Sequence, residues 1–169
     1  MKQPPVVALA AHRSPWLSTH RPVIQPIEEA DGELRAGRPV LVVCAAGPMG
    51  LMHVVRAVTS GIAGLSVTGV DIDDERLGRL AEVARPLVAA HGVDLDLVNG
   101  RTAVLPEGRF GYVGVMVPSP ALVAQAIAVA APGARLNLFA GFAVGTLAPL
   151  DLDAVVGRGL FPSGTSGSE

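Results

Sequence analysis

The stretch Val40-Leu41-Val42-Val43-Cys44-Ala45-Ala46-Gly47-Pro48-Met49-Gly50 decides how this chain folds. Four successive apolar residues, three of them β-branched, suit a strand buried on both faces, the situation inside a parallel sheet. The run stops at two glycines that bracket Pro48 and Met49. After them Met49, Met52 with His53, Arg56 and Thr59 recur at helical spacing as far as Ser60 and Gly61. A strand that turns through glycine into a helix points backbone N–H groups and the positive end of the helix dipole into the turn, which is the ordinary way to hold phosphate.

Downstream of this unit the pattern repeats. Residues 65–72, LSVTGVDI, alternate and are rich in β-branched side chains, predicting a second strand. A helix follows over 73–92, with Leu77, Leu80, Ala81, Ala84, Leu87 and Val88 on one face, Asp73 or Asp74 as its cap, and Pro86 expected to kink or break it late. Residues 93–99 read as a third strand, followed by a connection through Pro106 and Gly108, and 111–117 as a fourth, ended by Pro118. A helix is expected over 119–133, with a serine cap, a proline at its first position and Pro132-Gly133 past its end. Residues 134–141 predict a fifth strand, and a sixth short one is expected around Leu160 and Phe161. Strands alternating with helices imply right-handed βαβ units, so the fold class is α/β with a doubly wound parallel sheet of the Rossmann type.

Residues 1–37 differ from the rest. They hold two of the four histidines and the single Trp, with frequent prolines and no sustained period, and read as an irregular N-terminal arm. A turn or two of helix is conceivable over 27–37, weakened by Gly32 and stopped by Gly37 and Pro39. The division expected is an arm over 1–37 and one dinucleotide-binding domain over 38–169.

The dinucleotide fingerprint is G-x-G-x-x-G, whose glycines make the turn, admit the pyrophosphate and let helix pack on strand. Here the frame reads Ala45-Ala46-Gly47-Pro48-Met49-Gly50, so the first glycine is an alanine, which should keep an ordinary φ. A strand-to-helix turn also uses glycines for packing alone, so a second feature is needed. Asp71 supplies it, at the end of the next strand and about twenty positions beyond the last glycine, where a carboxylate accepts from an adenosine ribose. Asp73 and Asp74 compete for that role, and all three are also candidate helix caps. A carboxylate at the ribose favours NAD over NADP, with Arg76 near enough in sequence to soften the preference.

Composition removes other classes. With 13 basic and 15 acidic residues the formal net charge is -2, and no basic block stands out, so nucleic acid is not an expected partner. No run approaches the roughly 18 continuous apolar residues of a membrane span. The short apolar stretch VVALAA follows two prolines and makes a poor secretion signal. The one cysteine, Cys44, reads as a small buried hydrophobe, and a cytoplasmic location is expected.

The runs VLVVCAAGPMGLMHVVRA, VTGVDIDDERL, VGVMVPSPALVAQAIAVAAPGARLNLFAG and DLDAVVGRGLFPSGTSGS together resemble the nucleotide-binding part of the medium-chain, zinc-type alcohol and polyol dehydrogenases. The resemblance covers roughly residues 40–168. It implies an NAD(P)-binding domain of an alcohol or sugar-alcohol dehydrogenase-like oxidoreductase. Gly47, Pro48, Met49 and Gly50 would lie at the pyrophosphate, Asp71 at the ribose, and Val117 and Phe139 toward the nicotinamide. It further implies a chain truncated at both ends, without the zinc-holding catalytic domain and inactive by itself, that works as a homo-oligomer or with a partner chain supplying that domain.

Zinc itself is not expected in this chain. His12 and His20 lie in the arm, His53 on the first helix and His91 at the end of the second, and Cys44 sits behind the turn; these spacings do not converge, and the histidines read as solvated or helix-surface residues. A non-catalytic nucleotide-binding module, or a degenerate remnant, is the alternative from another class. A methyltransferase using S-adenosylmethionine shares the glycine turn and acidic strand end, but its fourth strand should end in an acid or Asn, whereas this one ends in Val117-Pro118.

Overall fold

The computed structural model describes residues 6–8, as backbone, and residues 34–164. Among the described residues eight strands and four helices follow in chain order: β1 (Val6–Ala8), β2 (Val40–Val43), α1 (Pro48–Val58), β3 (Ser66–Asp71), α2 (Asp74–His91), β4 (Asp94–Asn99), β5 (Phe110–Val115), α3 (Pro120–Val129), β6 (Ala130–Leu138), β7 (Leu147–Pro149), α4 (Leu152–Gly157) and β8 (Phe161–Gly164). Six strands form one parallel sheet in the order β4-β3-β2-β5-β6-β8. The fold is Rossmann-like α/β, with the strand order reversing between β2 and β5.

The opening run shows why. Val40 and Val42 point to one face and join Val54, Val58, Leu65, Val67 and Leu80 under α1 and α2. Leu41 and Val43 point to the other and join Val113, Val123, Ala126 and Leu136 under α3. The two-residue period of a strand thus sorts an unbroken apolar run into two cores, one on each side of the sheet. β2 pairs with β3 on one flank and β5 on the other, leaving no edge.

Several elements depart from the sequence reading. α2 runs unbroken through Pro86 because that residue is exposed, so the carbonyl its missing N–H leaves unpaired faces water. The helix ends instead at Gly92, in the left-handed conformation at φ 63°. α3 stops at Val129, short of the end expected just before Pro132, since Ala130 already pairs with Phe110. The register then slips between Phe110 and Tyr112, and Pro132 and Gly133 (φ 68°) are carried in that bulge. Arg158 fastens the junction by donating to the carbonyls of Ile127 and Ala130 at 2.8 and 2.9 Å.

Within the stretch read as an irregular arm, Val6–Ala8 pairs antiparallel with β7. The helical turn conceived over 27–37 lies mostly outside the described residues; Leu34 is buried in the α1 side of the core and Gly37 turns at φ 72°. The link from β4 to β5, residues 100–109, carries turns and no helix, although it must cross β3 and β2. Parallel crossovers usually do this with a helix of a dozen residues or more in all.

Candidate functional site

The turn after β2 is built on one left-handed residue. Cys44 has φ 60° and is the sole non-glycine with positive φ among the described residues. Such a conformation costs on the order of 1–2 kcal/mol in a residue with a Cβ. Ala45, in the place of the missing first glycine, keeps an ordinary φ as expected and is fully buried. Its methyl packs against Gly69 of β3, where an added Cβ would come within 3.0 Å of it. Cys44 is half-buried, not fully enclosed, and burial together with the Asp71 charge pushes its thiol above the ordinary range.

The two glycines do different work. A Cβ on Gly50 would lie 2.2 Å from the Cys44 carbonyl oxygen and 2.6 Å from two backbone atoms of Ala45, so its absence lets α1 start directly against the turn. A Cβ on Gly47 would meet nothing closer than 3.7 Å. The protein's own packing therefore demands glycine at 50 and leaves 47 open toward the solvent side. Gly47 is the N-cap with extended backbone and no side-chain cap, and Pro48 has no N–H. The N–H groups of Met49 and Gly50, in the first turn, have no intrahelical acceptor and point out of the helix end.

Asp71 closes the site from the next strand. Its side chain is buried, and its Oδ2 accepts from the Ala46 N–H at 3.1 Å while Oδ1 accepts from the Ile72 N–H at 2.8 Å. Each oxygen keeps a further lone pair. The other two acids are engaged elsewhere: Asp73 caps α2 by accepting from the Arg76 N–H, and Asp74 accepts from the Asn99 amide at 2.7 Å.

A cavity of about 600 Å³ opens beside Asp71, on the α3 side of the sheet. Leu41, Val43 and Val70 floor it, the helix-free link at Ala103–Leu105 roofs it, and Asp71, Glu107 and Gln125 supply polar atoms. Val117 and Cys44 line the same cavity. Phe139 does not; it continues the sheet beyond β6, its N–H donating to the Val115 carbonyl at 3.1 Å, and packs on the α1 side with Met49. The seven residues singled out in the sequence therefore lie at or just beyond the ends of β2, β3, β5 and β6, with Val117 lining the α3-side cavity and Met49 and Phe139 packed on the α1 face.

His53 was expected on the helix surface but is buried, at 5% exposure. Its Nδ1 lies 2.9 Å from the Met49 carbonyl, and its ring meets Phe139 edge-on, with centroids 5.4 Å apart and planes at 68°. The signal was its spacing: Gly50, His53, Val54, Ala57 and Val58 form the inward stripe of α1. His91 is exposed as expected, whereas His12 and His20 lie outside the described residues. Among the described residues no three His, Cys, Asp or Glu side chains gather as a metal site, and no helix is long and apolar enough to cross a membrane.

No family model matches this chain. It is 30% identical to the uncharacterized protein YggP of Escherichia coli (strain K12) over 140 residues, 77% of this chain and 31% of that one. Among solved structures it superposes on alcohol dehydrogenase TADH from Thermus sp. ATN1 with a TM-score of 0.65 and 21% identity, covering 86% of this chain and 42% of that one. It also superposes on a short chain alcohol dehydrogenase (rspB) from E. coli CFT073, complexed with NADH, with a TM-score of 0.61 and 21% identity, covering 85% and 42%. The chain thus spans under a third of that curated relative and about two fifths of these dehydrogenases, and the likeness establishes a shared Rossmann-like fold.

Proposed function

We propose that this chain binds a nicotinamide dinucleotide, NAD in preference to NADP, as the cofactor-binding part of an alcohol or polyol dehydrogenase-like oxidoreductase. The observation that carries the reading is the buried Asp71 carboxylate tied to the Ala46 N–H of the glycine turn. That bond holds a carboxylate beside the glycine turn, where this reading needs a ribose acceptor next to a phosphate cradle.

In this reading the open side of Gly47 and the N–H groups of Met49 and Gly50 receive the pyrophosphate, with Pro48 setting the first helical φ. Asp71 accepts from the adenosine ribose through its remaining lone pairs. A 2′-phosphate would set negative charge against that carboxylate, and Arg76 is a weak remedy because its Nε already lies 3.5 Å from Asp73 Oδ2. Val117 and Phe139 lie toward the nicotinamide. The bound dinucleotide would supply the hydride acceptor; the residues here would bind and orient it. Activation of an alcohol falls in this reading to residues outside this nucleotide-binding part.

Calorimetric titration with NAD and NADP tests it. NAD should bind, NADP should bind on the order of tenfold or more weakly, and Asp71→Ala should lose the discrimination, as expected for hydrogen bonds to a charged acceptor. Absence of NAD binding overturns the reading, and unchanged selectivity in Asp71→Ala removes that residue from the site.

A further inference from the structure

His53 is an expensive residue for the place it occupies. A carbonyl can only accept, so the bond to Met49 puts the imidazole proton on Nδ1 and leaves Nε2 as a bare acceptor. That Nε2 is buried and has no hydrogen-bond partner among the described residues. An unsatisfied buried polar atom is a net loss that Leu or Phe at the same position would avoid. What the imidazole adds is a flat ring anchored at one end to the first turn of α1 and presented edge-on to Phe139 at the other.

The two residues it touches sit on opposite banks of the order reversal. Met49 belongs to the turn proposed to take the pyrophosphate, while Phe139 follows β6 on the nicotinamide side. Phe139 has its backbone fixed by the bond to Val115, which leaves its ring direction to be set by its neighbours. The His53 ring is the neighbour that also senses the α1 turn.

Resting on the dinucleotide reading above, we infer that His53 is a positioning residue: it holds the Phe139 ring in register with the Met49 turn, so that the two ends of a bound dinucleotide are gripped as a unit. It does not itself touch the cofactor. The role concerns the nicotinamide end, so it should be invisible to a ligand that lacks that ring.

The test compares NAD with ADP-ribose, which keeps the adenosine and pyrophosphate and lacks nicotinamide. In His53→Asn, which keeps a donor near the Nδ1 position and removes the ring contact, NAD affinity should fall about three- to tenfold while ADP-ribose changes by less than about twofold, the size expected of one aromatic pair. His53→Phe, which keeps a ring against Phe139 but loses the anchor to the Met49 carbonyl, should recover part of that loss in the NAD to ADP-ribose ratio. Phe139→Leu, at a half-buried site that tolerates the change, should reproduce the His53→Asn loss, and the double variant should lose no more than the larger single loss. A ratio that drops in His53→Phe as far as in His53→Asn, or one unchanged in Phe139→Leu, overturns the inference while leaving NAD binding intact. Should His53→Asn fail to fold, the other two variants still decide. If the parent chain binds ADP-ribose and NAD equally, the nicotinamide end is not gripped and the inference falls; if it binds neither, the function reading falls and takes this with it.

Discussion

The Ala46 N–H donates to Asp71 Oδ2 across 3.1 Å, joining the turn after β2 to the end of β3 through a side chain. This bond stabilises the apo protein as well as shaping a site. Asp71→Ala should therefore lower unfolding free energy by about 1–3 kcal/mol, the cost of leaving a buried N–H unmatched. Asp71→Asn, which keeps the volume and one acceptor oxygen for the two N–H groups, should lose less. Denaturant unfolding of both variants checks the order, and equal losses would show that a single amide oxygen does not replace the carboxylate.

Gly47 and Gly50 should separate in opposite directions. Gly50→Ala drives a methyl into the Cys44 carbonyl and Ala45 backbone, and should cost about 3 kcal/mol or more, since backbone cannot yield as a flexible side chain does. Gly47→Ala meets nothing closer than 3.7 Å and should leave thermal unfolding almost unchanged. On the proposed dinucleotide reading it should still weaken NAD binding on the order of tenfold, because the methyl would occupy the face by which pyrophosphate approaches. A stable Gly47→Ala that binds NAD normally would show the turn serves packing alone.

Cys44 inverts a common ranking. At φ 60° any Cβ is strained, so Cys44→Gly should be more stable than Cys44→Ala by about 1 kcal/mol, although glycine normally ranks below alanine. Both lose the sulfur's packing, so their difference isolates the backbone contribution. Parallel thermal melts give the answer directly, and Ala equal to or above Gly contradicts the expectation.

Burial pushes the His53 imidazole below its ordinary value near 6.5, partly offset by the bond to the Met49 carbonyl. The unfolded chain takes up this proton near 6.5 and the folded chain only at lower pH, so below about 6.5 the unfolded state binds more protons. Stability should accordingly fall as pH is lowered from about 6.5 toward the folded value. His53→Phe should flatten that part of the profile. Unfolding curves at a few pH values between 7.5 and 5 compare the slopes, and identical slopes in the two proteins would exclude His53 as their source.

What the sequence made legible was whatever is decided locally. The VLVV run, the alternation of 65–72 and the serine and aspartate caps follow from spacing and backbone preference, and each appears where those rules put it. What was hidden depends on distant partners. α3 ends early because Ala130 finds Phe110, and β1 exists as a strand because β7 is opposite it. The left-handed Cys44 has no sequence mark, since the usual glycine is absent and the strain moved one residue earlier than the motif suggests. His53 was misplaced because a polar residue on a helix is ordinarily outward, and its inward neighbours Gly50, Val54 and Ala57 were the evidence against that.

The helix-free link between β4 and β5 leaves the sheet tethered unevenly. One half, β2 to β4, is sewn together by α1 and α2, whereas its covalent tie to β5 is a bare strap whose residues 106–109 are exposed. Exposed loop backbone of this kind is where proteases cut first. A single nick there would leave two fragments joined by no covalent tie, held together by the β2–β5 ladder, the β1–β7 pairing and the apolar cores that both sides share.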